Sequence, residues 1–212
     1  DATQSSQLLS AILMVAPFAA SDLRIHISDT AIRRSYVDMT IAMMGRFDIK
    51  GDRVQTTDKT FTIGSGPGYT LETGSYTVES DATAASYFLA LPAAVGGTLE
   101  VEDLKLNGLQ GDVAFAEIIQ GLGIEMTETK TGIRISRDKT GLVLSGITSG
   151  FFQISDTFLT LAALAPLLRG PTTITGIAHT RMQETDRVSA IATQLKKLGQ
   201  EVVENEDALT IH

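Results

Sequence analysis

The sequence predicts an α/β protein built from three copies of one unit, each about 75 residues long. Three apolar, helix-like runs each carry a proline near the far end, and the prolines are 75 and 74 residues apart: Pro17, Pro92 and Pro166. A short segment of alternating hydrophobicity follows each run and is typical of a half-buried strand. The same element order at one period indicates a repeat rather than three unrelated α/β segments.

The other elements of the unit are clearest in the third copy. A second helix is predicted there because one face is apolar, through Val188, Ile191, Ala192, Leu195 and Leu198. The second helices end near Asp48, Gly123 and Gly199, at spacings of 75 and 76 residues. Two short strands close each copy, and the segment before the first helix is expected to add a leading strand. The predicted unit is therefore βαβαββ.

The chain is expected to contribute to two domains. The best linker candidate is the polar, glycine-rich stretch 64–74, which reads GSGPGYTLETG. We assign residues 1–73 to one domain and residues 74–212 to another. The second domain then holds two copies of the unit, 74–143 and 144–212.

Composition narrows the possible functions. The 17 basic and 25 acidic side chains give a formal charge of −8, which argues against a nucleic-acid partner. The chain has no cysteine, so disulfides, thiolate metal sites and a cysteine nucleophile are excluded. Its three histidines show no metal-ligand spacing. The most apolar stretch, 8–20, is too short to span a membrane and lacks the basic flank of a signal peptide.

Two candidate anion sites lie at predicted helix starts in the first copy. Ser5, Ser6 and Gln7 precede an apolar helix, where hydroxyls and free backbone N–H groups suit a phosphate, although a serine there is more often a simple N-cap. Arg33 and Arg34, followed by Ser35 and Tyr36, precede the second helix. Paired arginines either fork onto a phosphate or form a solvated turn, and the sequence leaves both open.

The third copy carries the candidate acid–base residues. Asp156 stands at the mouth of a helix, as either an N-cap or a general base that accepts a substrate proton. The run 179–187, HTRMQETDR, holds two cations, two carboxylates, an imidazole and an amide directly before a helix. Glu184 and Arg187 are three residues apart, so they form either an exposed ion pair or part of a substrate site.

Several segments resemble the EPSP synthase (3-phosphoshikimate 1-carboxyvinyltransferase) family of enolpyruvyl transferases. They are SSQLLSAILMVAPFA at 5–19, ESDATAASYFLALPAAVGGTLEV at 79–101 and QETDRVSAIATQLKKLG at 183–199. The resemblance implies two domains, each a pseudo-threefold, inside-out α/β barrel of three βαβαββ units. This chain would then hold the last unit of the first, shikimate-side domain and the first two units of the second.

The resemblance also implies a reaction and its residues. The enolpyruvyl group of phosphoenolpyruvate would pass to the 5-hydroxyl of shikimate 3-phosphate, with release of phosphate and without a metal or other cofactor. Asp156 resembles the base and Glu184 the proton donor, while Arg187 and Gln7 resemble phosphoenolpyruvate ligands. The implied shikimate 3-phosphate ligands are Ser5, Ser6, Gln7, Arg33, Tyr36, Asp156, His179 and Gln183. A cytoplasmic, monomeric parent enzyme without nucleic-acid or membrane partners is implied as well.

The chain departs from the family pattern at three of these positions. Arg33 stands where the family usually has Ser, His179 where it often has Asn, and Gln183 where it often has Lys. The family's basic segments toward both ends have no counterpart here, so we expect an incomplete active site and an inactive isolated chain. The alternatives are a UDP-N-acetylglucosamine enolpyruvyl transferase and a non-catalytic α/β module that binds a phosphorylated ligand.

Overall fold

The computed structural model describes residues 6–28, 32, 34–138 and 143–212. The chain divides into two compact units, 1–78 and 79–212. The first contains one copy of the repeat and the second contains two. The assignment of 1–73 and 74–212 to particular domains of the family enzyme stays a prediction.

The first unit packs two helices on a three-stranded antiparallel sheet of order β1-β3-β2. Its core is formed by Leu13, Val37, Phe61 and Ile63, each with no exposed surface. Its elements are α1 (Gln7–Val15), β1 (Leu23–His26), α2 (Arg34–Arg46), β2 (Val54–Thr56) and β3 (Thr60–Ile63).

The second unit begins with a repeat of the same order. Its antiparallel sheet has the order β4-β6-β5, so the last strand again lies between the other two. The elements are α3 (Ala82–Val95), β4 (Gly97–Glu102), α4 (Phe115–Gly121), β5 (Glu125–Glu128) and β6 (Gly132–Arg137).

The third repeat has a four-stranded sheet of order β7-β8-β10-β9. Strand β7 is parallel to β8, and the other pairs are antiparallel. The elements are β7 (Thr148–Gly150), α5 (Phe158–Leu164), β8 (Thr172–Thr175), α6 (Arg187–Lys197), β9 (Val202–Glu204) and β10 (Ala208–Ile211). The common element order and strand order of the three copies agree with the predicted α/β repeat.

The leading strand of the predicted unit is present in the third copy as β7. In the second copy, residues 75–80 form no strand, and the prediction is wrong there. Instead Ser80 bonds to the end of β4, its Oγ donating to Glu102 O at 2.8 Å and its N–H to Asp103 O at 3.1 Å. A strand needs a paired neighbour, and β7 pairs with β8, whereas residues 75–80 form no such pairing. In the first copy the corresponding segment lies outside the described residues.

The three prolines close the first helix of each repeat. Pro17 and Pro166 lie in 3₁₀ turns that follow α1 and α5, whereas Pro92 lies inside the last turn of α3. A proline has no N–H to donate into a helix, so it is tolerated best where the helix tightens or ends. In each copy the next strand begins five or six residues later, at Leu23, Gly97 and Thr172.

One continuous apolar core underlies both repeats of the second unit. It includes Phe115, Phe151, Phe158, Ile133 and Ile174, all fully buried. This core fixes the starts of α3, α5 and α6 relative to one another, and the candidate site lies there. Within the part of the chain that the structure describes, every helix is too short or too polar to cross a bilayer.

Candidate functional site

An open pocket of about 580 Å³ lies in the second unit among α3, α5 and α6. Asp156 and Arg187, two residues predicted from sequence, line it together with Thr83, Tyr87, Thr185 and Gln194. The α3 residues come from a different repeat than the others, so the pocket exists only because two repeats share one core. The sequence patterns did not identify Thr83, Tyr87 or Gln194, and they included Thr185 only as a member of the run 179–187.

Arg187 joins two carboxylates that reach it from different segments. Its Nη1 donates to Asp156 Oδ1 at 2.7 Å, and its Nη2 donates to Glu184 Oε2 at 2.9 Å. The side chains are 23% exposed for Arg187, 31% for Asp156 and 80% for Glu184. The guanidinium is therefore half-buried, whereas Glu184 projects into solvent. A ligand can reach all three groups, which the two contacts of Arg187 bring together.

Helix geometry places Arg187 in this position. Asp186 is the N-cap of α6, and its Oδ1 accepts from Ser189 N–H at 2.9 Å, so Arg187 is the first residue of the helix. That backbone hydrogen bond, joined by Arg181, lowers the pKa of Asp186 despite the opposing effect of burial. Asp156 lies in the 3₁₀ turn Ser155–Thr157 that leads into α5. Two helix starts thus face one pocket.

The Glu184 carboxyl is stabilised in its ionised form. Its own backbone N–H makes the largest contribution, followed by the hydrogen bond and charge of Arg187, and together they hold its pKa below the ordinary 4.5. Glu184 is therefore a carboxylate at neutral pH in this arrangement. It can accept a proton or balance a cation, but it becomes a proton donor only when its surroundings change.

A second arginine of the same run anchors it to the β9–β10 turn. Arg181 donates to Asp186 and Glu204 through Nη1, and to the backbone carbonyls of Asn205 and Glu206 through Nη2 and Nε. Burial alone would lower the pKa of Arg181, but the hydrogen bonds of Glu204 and Asp186 outweigh it and raise the pKa. The sequence analysis counted Arg181 as one of the two cations of the run 179–187 and predicted no role for it.

Two predicted ligands lie beside the pocket rather than in its lining. His179 lies half-buried in the 3₁₀ turn Ala178–Met182 and packs edge-on against Phe152, with ring centroids 5.5 Å apart. Gln183 follows the turn, and its buried Oε1 has no hydrogen-bond partner among the described residues. Both belong to the segment that Arg181 anchors.

The other predicted ligands belong to the first unit. Ser6 occupies the N-cap position of α1 and is 3% exposed, yet its side chain makes no capping hydrogen bond. Gln7 is the first residue of α1, and Tyr36 lies in the first turn of α2. Arg34 pairs with Asp38 at 2.9 Å, which favours a structural role for it. Ser5 and Arg33 lie outside the described residues.

Acidic and histidine side chains form no group of three that could hold a metal ion within residues 6–28, 32, 34–138 and 143–212. The candidate chemistry of the pocket rests on Arg187 and its two carboxylate partners, which contact it at 2.7 and 2.9 Å. An arginine between carboxylates can bind an anionic ligand by exchanging partners, while the carboxylates remain next to the bound anion.

Known proteins resemble this chain along its whole length. A family model for EPSP synthase (3-phosphoshikimate 1-carboxyvinyltransferase) matches residues 1–212. The chain is 46% identical to a 3-phosphoshikimate 1-carboxyvinyltransferase of Opitutus terrae, covering 100% of this chain and 45% of that protein. It is 41% identical to a chloroplastic enzyme of that name from Nicotiana tabacum, covering 96% of this chain and 40% of that protein.

Solved structures show the same relationship. EPSP synthase from Acinetobacter baumannii superposes with a TM-score of 0.74 at 25% identity, covering 99% of this chain and 47% of that one. The enolpyruvyl transferase NikO from Streptomyces tendae shares the fold, with a TM-score of 0.60 at 14% identity over 92% of this chain and 43% of that one. The chain thus spans less than half the length of these relatives.

Proposed function

Because the chain belongs to the EPSP synthase (3-phosphoshikimate 1-carboxyvinyltransferase) family, we propose that the protein containing it makes EPSP. The reaction transfers the enolpyruvyl group of phosphoenolpyruvate to the 5-hydroxyl of shikimate 3-phosphate and releases phosphate. The chain spans 45% of the Opitutus terrae relative, so it supplies only part of such an active site. We expect the isolated chain to be inactive.

The observation that carries this proposal is the contact of Arg187 with both Asp156 and Glu184 at the pocket. Phosphoenolpyruvate is a small anion with a carboxylate and a phosphate, and a guanidinium binds such groups through two parallel hydrogen bonds. Asp156 and Glu184 hold that guanidinium until the substrate replaces them. Substrate binding then leaves two carboxylates next to the reacting carbon and hydroxyl.

The two carboxylates would divide the proton transfers. Asp156 takes the proton of the 5-hydroxyl as that oxygen attacks the enol carbon of phosphoenolpyruvate. Glu184 gives a proton to the methylene carbon and takes one back when phosphate leaves. Its low pKa in the present arrangement does not suit a donor. Binding of an anion to Arg187 removes its cationic partner and adds negative charge nearby, and both changes raise the pKa of Glu184.

The shikimate 3-phosphate ligands are proposed as the resemblance implies them. The proposed set consists of Ser5, Ser6, Gln7, Arg33, Tyr36, Asp156, His179 and Gln183, with Gln7 also reaching phosphoenolpyruvate. Gln183 brings an amide where the family often has a cation, so its contribution to anion binding is a hydrogen bond rather than a charge. We propose no metal or organic cofactor, because Arg187 and the two carboxylates supply the anion site and the proton transfers. A monomeric, cytoplasmic parent remains a prediction, and plant relatives are chloroplastic.

Steady-state kinetics on the complete protein test this proposal. We expect D156N and E184Q to lower turnover by about 10²–10⁴-fold, as for loss of a general acid or base. E184Q should leave shikimate 3-phosphate binding nearly unchanged, because Glu184 is not among the proposed ligands of that substrate. R187A should instead raise the KM for phosphoenolpyruvate. R134Q is the matched control, because Arg134 also forms an arginine–carboxylate pair, with Glu100 at 2.7 Å, but on the sheet formed by β4, β5 and β6. It should leave the kinetic constants unchanged. Near-normal turnover in D156N and E184Q would contradict the proposed roles.

A further inference from the structure

The two arginines of the run 179–187 have different surroundings. Arg187 donates to two carboxylates that line or border the pocket, one of them 80% exposed. Arg181 is 19% exposed and uses all three guanidinium nitrogens in hydrogen bonds within the protein. A guanidinium in that state has little capacity left for a ligand, so Arg181 serves the fold of this segment.

The partners of Arg181 connect three parts of the chain. Glu204 ends β9, and the carbonyls of Asn205 and Glu206 belong to the turn that leads to β10. Asp186 is the N-cap of α6, and both of its carboxylate oxygens accept from Arg181 Nη1, at 2.9 and 3.1 Å. Arg181 therefore fastens the start of α6 to the β9–β10 turn.

The contacts between Arg181 and Asp186 also affect the position of Arg187. Asp186 immediately precedes it, and the same Asp186 Oδ1 that accepts from Arg181 also accepts from Ser189 N–H. The segment before α6 has little apolar anchoring, since Met182 is 71% exposed and Glu184 is exposed as well. Val188 holds α6 itself in the core, so what the polar anchors fix is the conformation of the segment that leads into Arg187.

We propose that Arg181 is a positioning residue that holds Arg187 and Glu184 at the pocket by locking Asp186 to the β9–β10 turn. The identity of the ligand in this inference rests on the proposed function. The locking itself does not, because it concerns contacts within the chain. Lysine cannot replace Arg181, since one ammonium group cannot bond to Asp186, Glu204 and two carbonyls in the geometry of a planar fork.

The first test measures kinetics of R181K in the complete protein. We expect the KM for phosphoenolpyruvate to rise at least about tenfold, because misplacing a binding group by about 1 Å can cost about 10²-fold. The KM for shikimate 3-phosphate should rise as well, because the proposed ligands His179 and Gln183 belong to the segment that Arg181 anchors, whereas R134K should change neither constant. A loss confined to kcat, with both KM values unchanged, would show a merely structural role and overturn the inference.

The second test needs no enzymatic activity. Carboxyl NMR titration of the 212-residue chain should give Glu184 a higher pKa in R181K than in the unmodified chain, since Arg187 is no longer held against it. An unchanged Glu184 titration would overturn the inference. Absence of enolpyruvyl transfer in the unmodified complete protein would instead contradict the proposed function, and the titration would still decide the role of Arg181.

If R181K fails to fold, D186N provides a second variant for the same two measurements. Asparagine caps a helix about as well as aspartate, so D186N keeps the bond to Ser189 N–H but loses the charged link to Arg181. We expect the KM for phosphoenolpyruvate and the Glu184 pKa to rise, as in R181K but by less. Normal values for both in a folded D186N protein would overturn the inference.

Discussion

The hydroxyl oxygens of Ser86 and Thr160 lie 2.7 Å apart in the buried contact between α3 and α5. The two residues are 74 positions apart, the same spacing as Pro92 and Pro166, so the first helices of two repeats meet through equivalent side chains. Ser86 Oγ donates to Thr83 O at 2.6 Å. In the hydrogen bond between the two hydroxyls, Thr160 Oγ1 is therefore the donor and Ser86 Oγ is the acceptor.

This assignment predicts unequal costs for removing the two hydroxyls. S86A leaves the Thr160 donor buried without its acceptor, and we expect a loss of about 1–3 kcal/mol in the free energy of unfolding. T160V keeps the Ser86 donor bonded to Thr83, so its cost should be smaller, about 0.5–1.5 kcal/mol. Urea unfolding measures both, and the double variant should cost less than the sum. Equal and additive costs would contradict the assigned donor.

Gly132 is predicted to tolerate no side chain. A Cβ there would lie 1.9 Å from Val101 O, across the β4–β6 pairing. G132A must push the two strands apart, and we expect it to destabilise the chain by at least about 1–3 kcal/mol. G121A is the matched control, because nothing lies within 4 Å of its Cβ and alanine favours the helix. Circular dichroism with urea would show whether G132A unfolds earlier while G121A does not.

The repeat was predictable from sequence because proline is a rigid marker. Its ring cannot join the hydrogen-bond pattern of a helix interior, so Pro17, Pro92 and Pro166 fall where each first helix tightens or ends. The leading strand was less predictable. Residues 75–80 and the segment containing β7 precede equivalent helices, but only β7 finds a parallel partner in β8. A segment forms a strand only when another strand lies beside it to pair with, and the local sequence does not show whether such a strand is there.

The candidate site was predictable where one short segment carries it. Glu184 and Arg187 are three residues apart, which brings them within reach of each other, and they form a 2.9 Å contact although Glu184 lies before α6 rather than on it. The fastening role of Arg181 was not predictable, because Glu204 lies 23 positions away on another strand. Tyr87 reaches the pocket only through packing of two repeats, which no local pattern reports.

Glu100 is predicted to make stability depend on acid pH. Hydrogen bonds from Thr131 and Thr129, then from Arg134, lower the pKa of Glu100 from 4.5 to about 2. A carboxyl with a depressed pKa in the folded state stabilises the fold above its unfolded pKa, and this contribution is lost as pH falls from about 4.5 toward 2. Carboxyl NMR titration should give a higher Glu100 pKa in T131V, with a weaker fall in stability over that range.

T98V is the control for this titration. Thr98 lies on the same strand as Glu100 but bonds to Ser136 at 2.7 Å, so its loss should leave the Glu100 pKa unchanged. A Glu100 carboxyl that titrates near 4.5 in the unmodified chain would contradict the prediction. Salt should reduce the Arg134 contribution more than that of the threonine hydroxyls, because hydroxyl hydrogen bonds carry no net charge.

The Ser-Asp dipeptide occurs before the first helix of both repeats in the second unit. We predict that changing Asp81 lowers the stability of the fold, whereas changing Asp156 lowers activity. Asp81 is the N-cap of α3 and accepts from Ala84 N–H at 2.9 Å. D81A should therefore cost about 0.5–2 kcal/mol in the free energy of unfolding, while D81N, which can still cap, should cost little. Thermal and urea unfolding of the 212-residue chain give both values.

Asp156 accepts from Arg187 in the half-exposed wall of the pocket, where an ion pair contributes little to stability. D156N should change the free energy of unfolding by no more than about 0.5 kcal/mol, because Arg187 keeps Glu184 as a partner. In the complete protein the same substitution should nearly abolish enolpyruvyl transfer, and D81N should leave it close to normal. A side chain needed for chemistry rather than for folding gives this combination. If D156N instead destabilised the chain as much as D81A and left turnover intact, Asp156 would be the structural equivalent of Asp81, and the general base would have to be another residue.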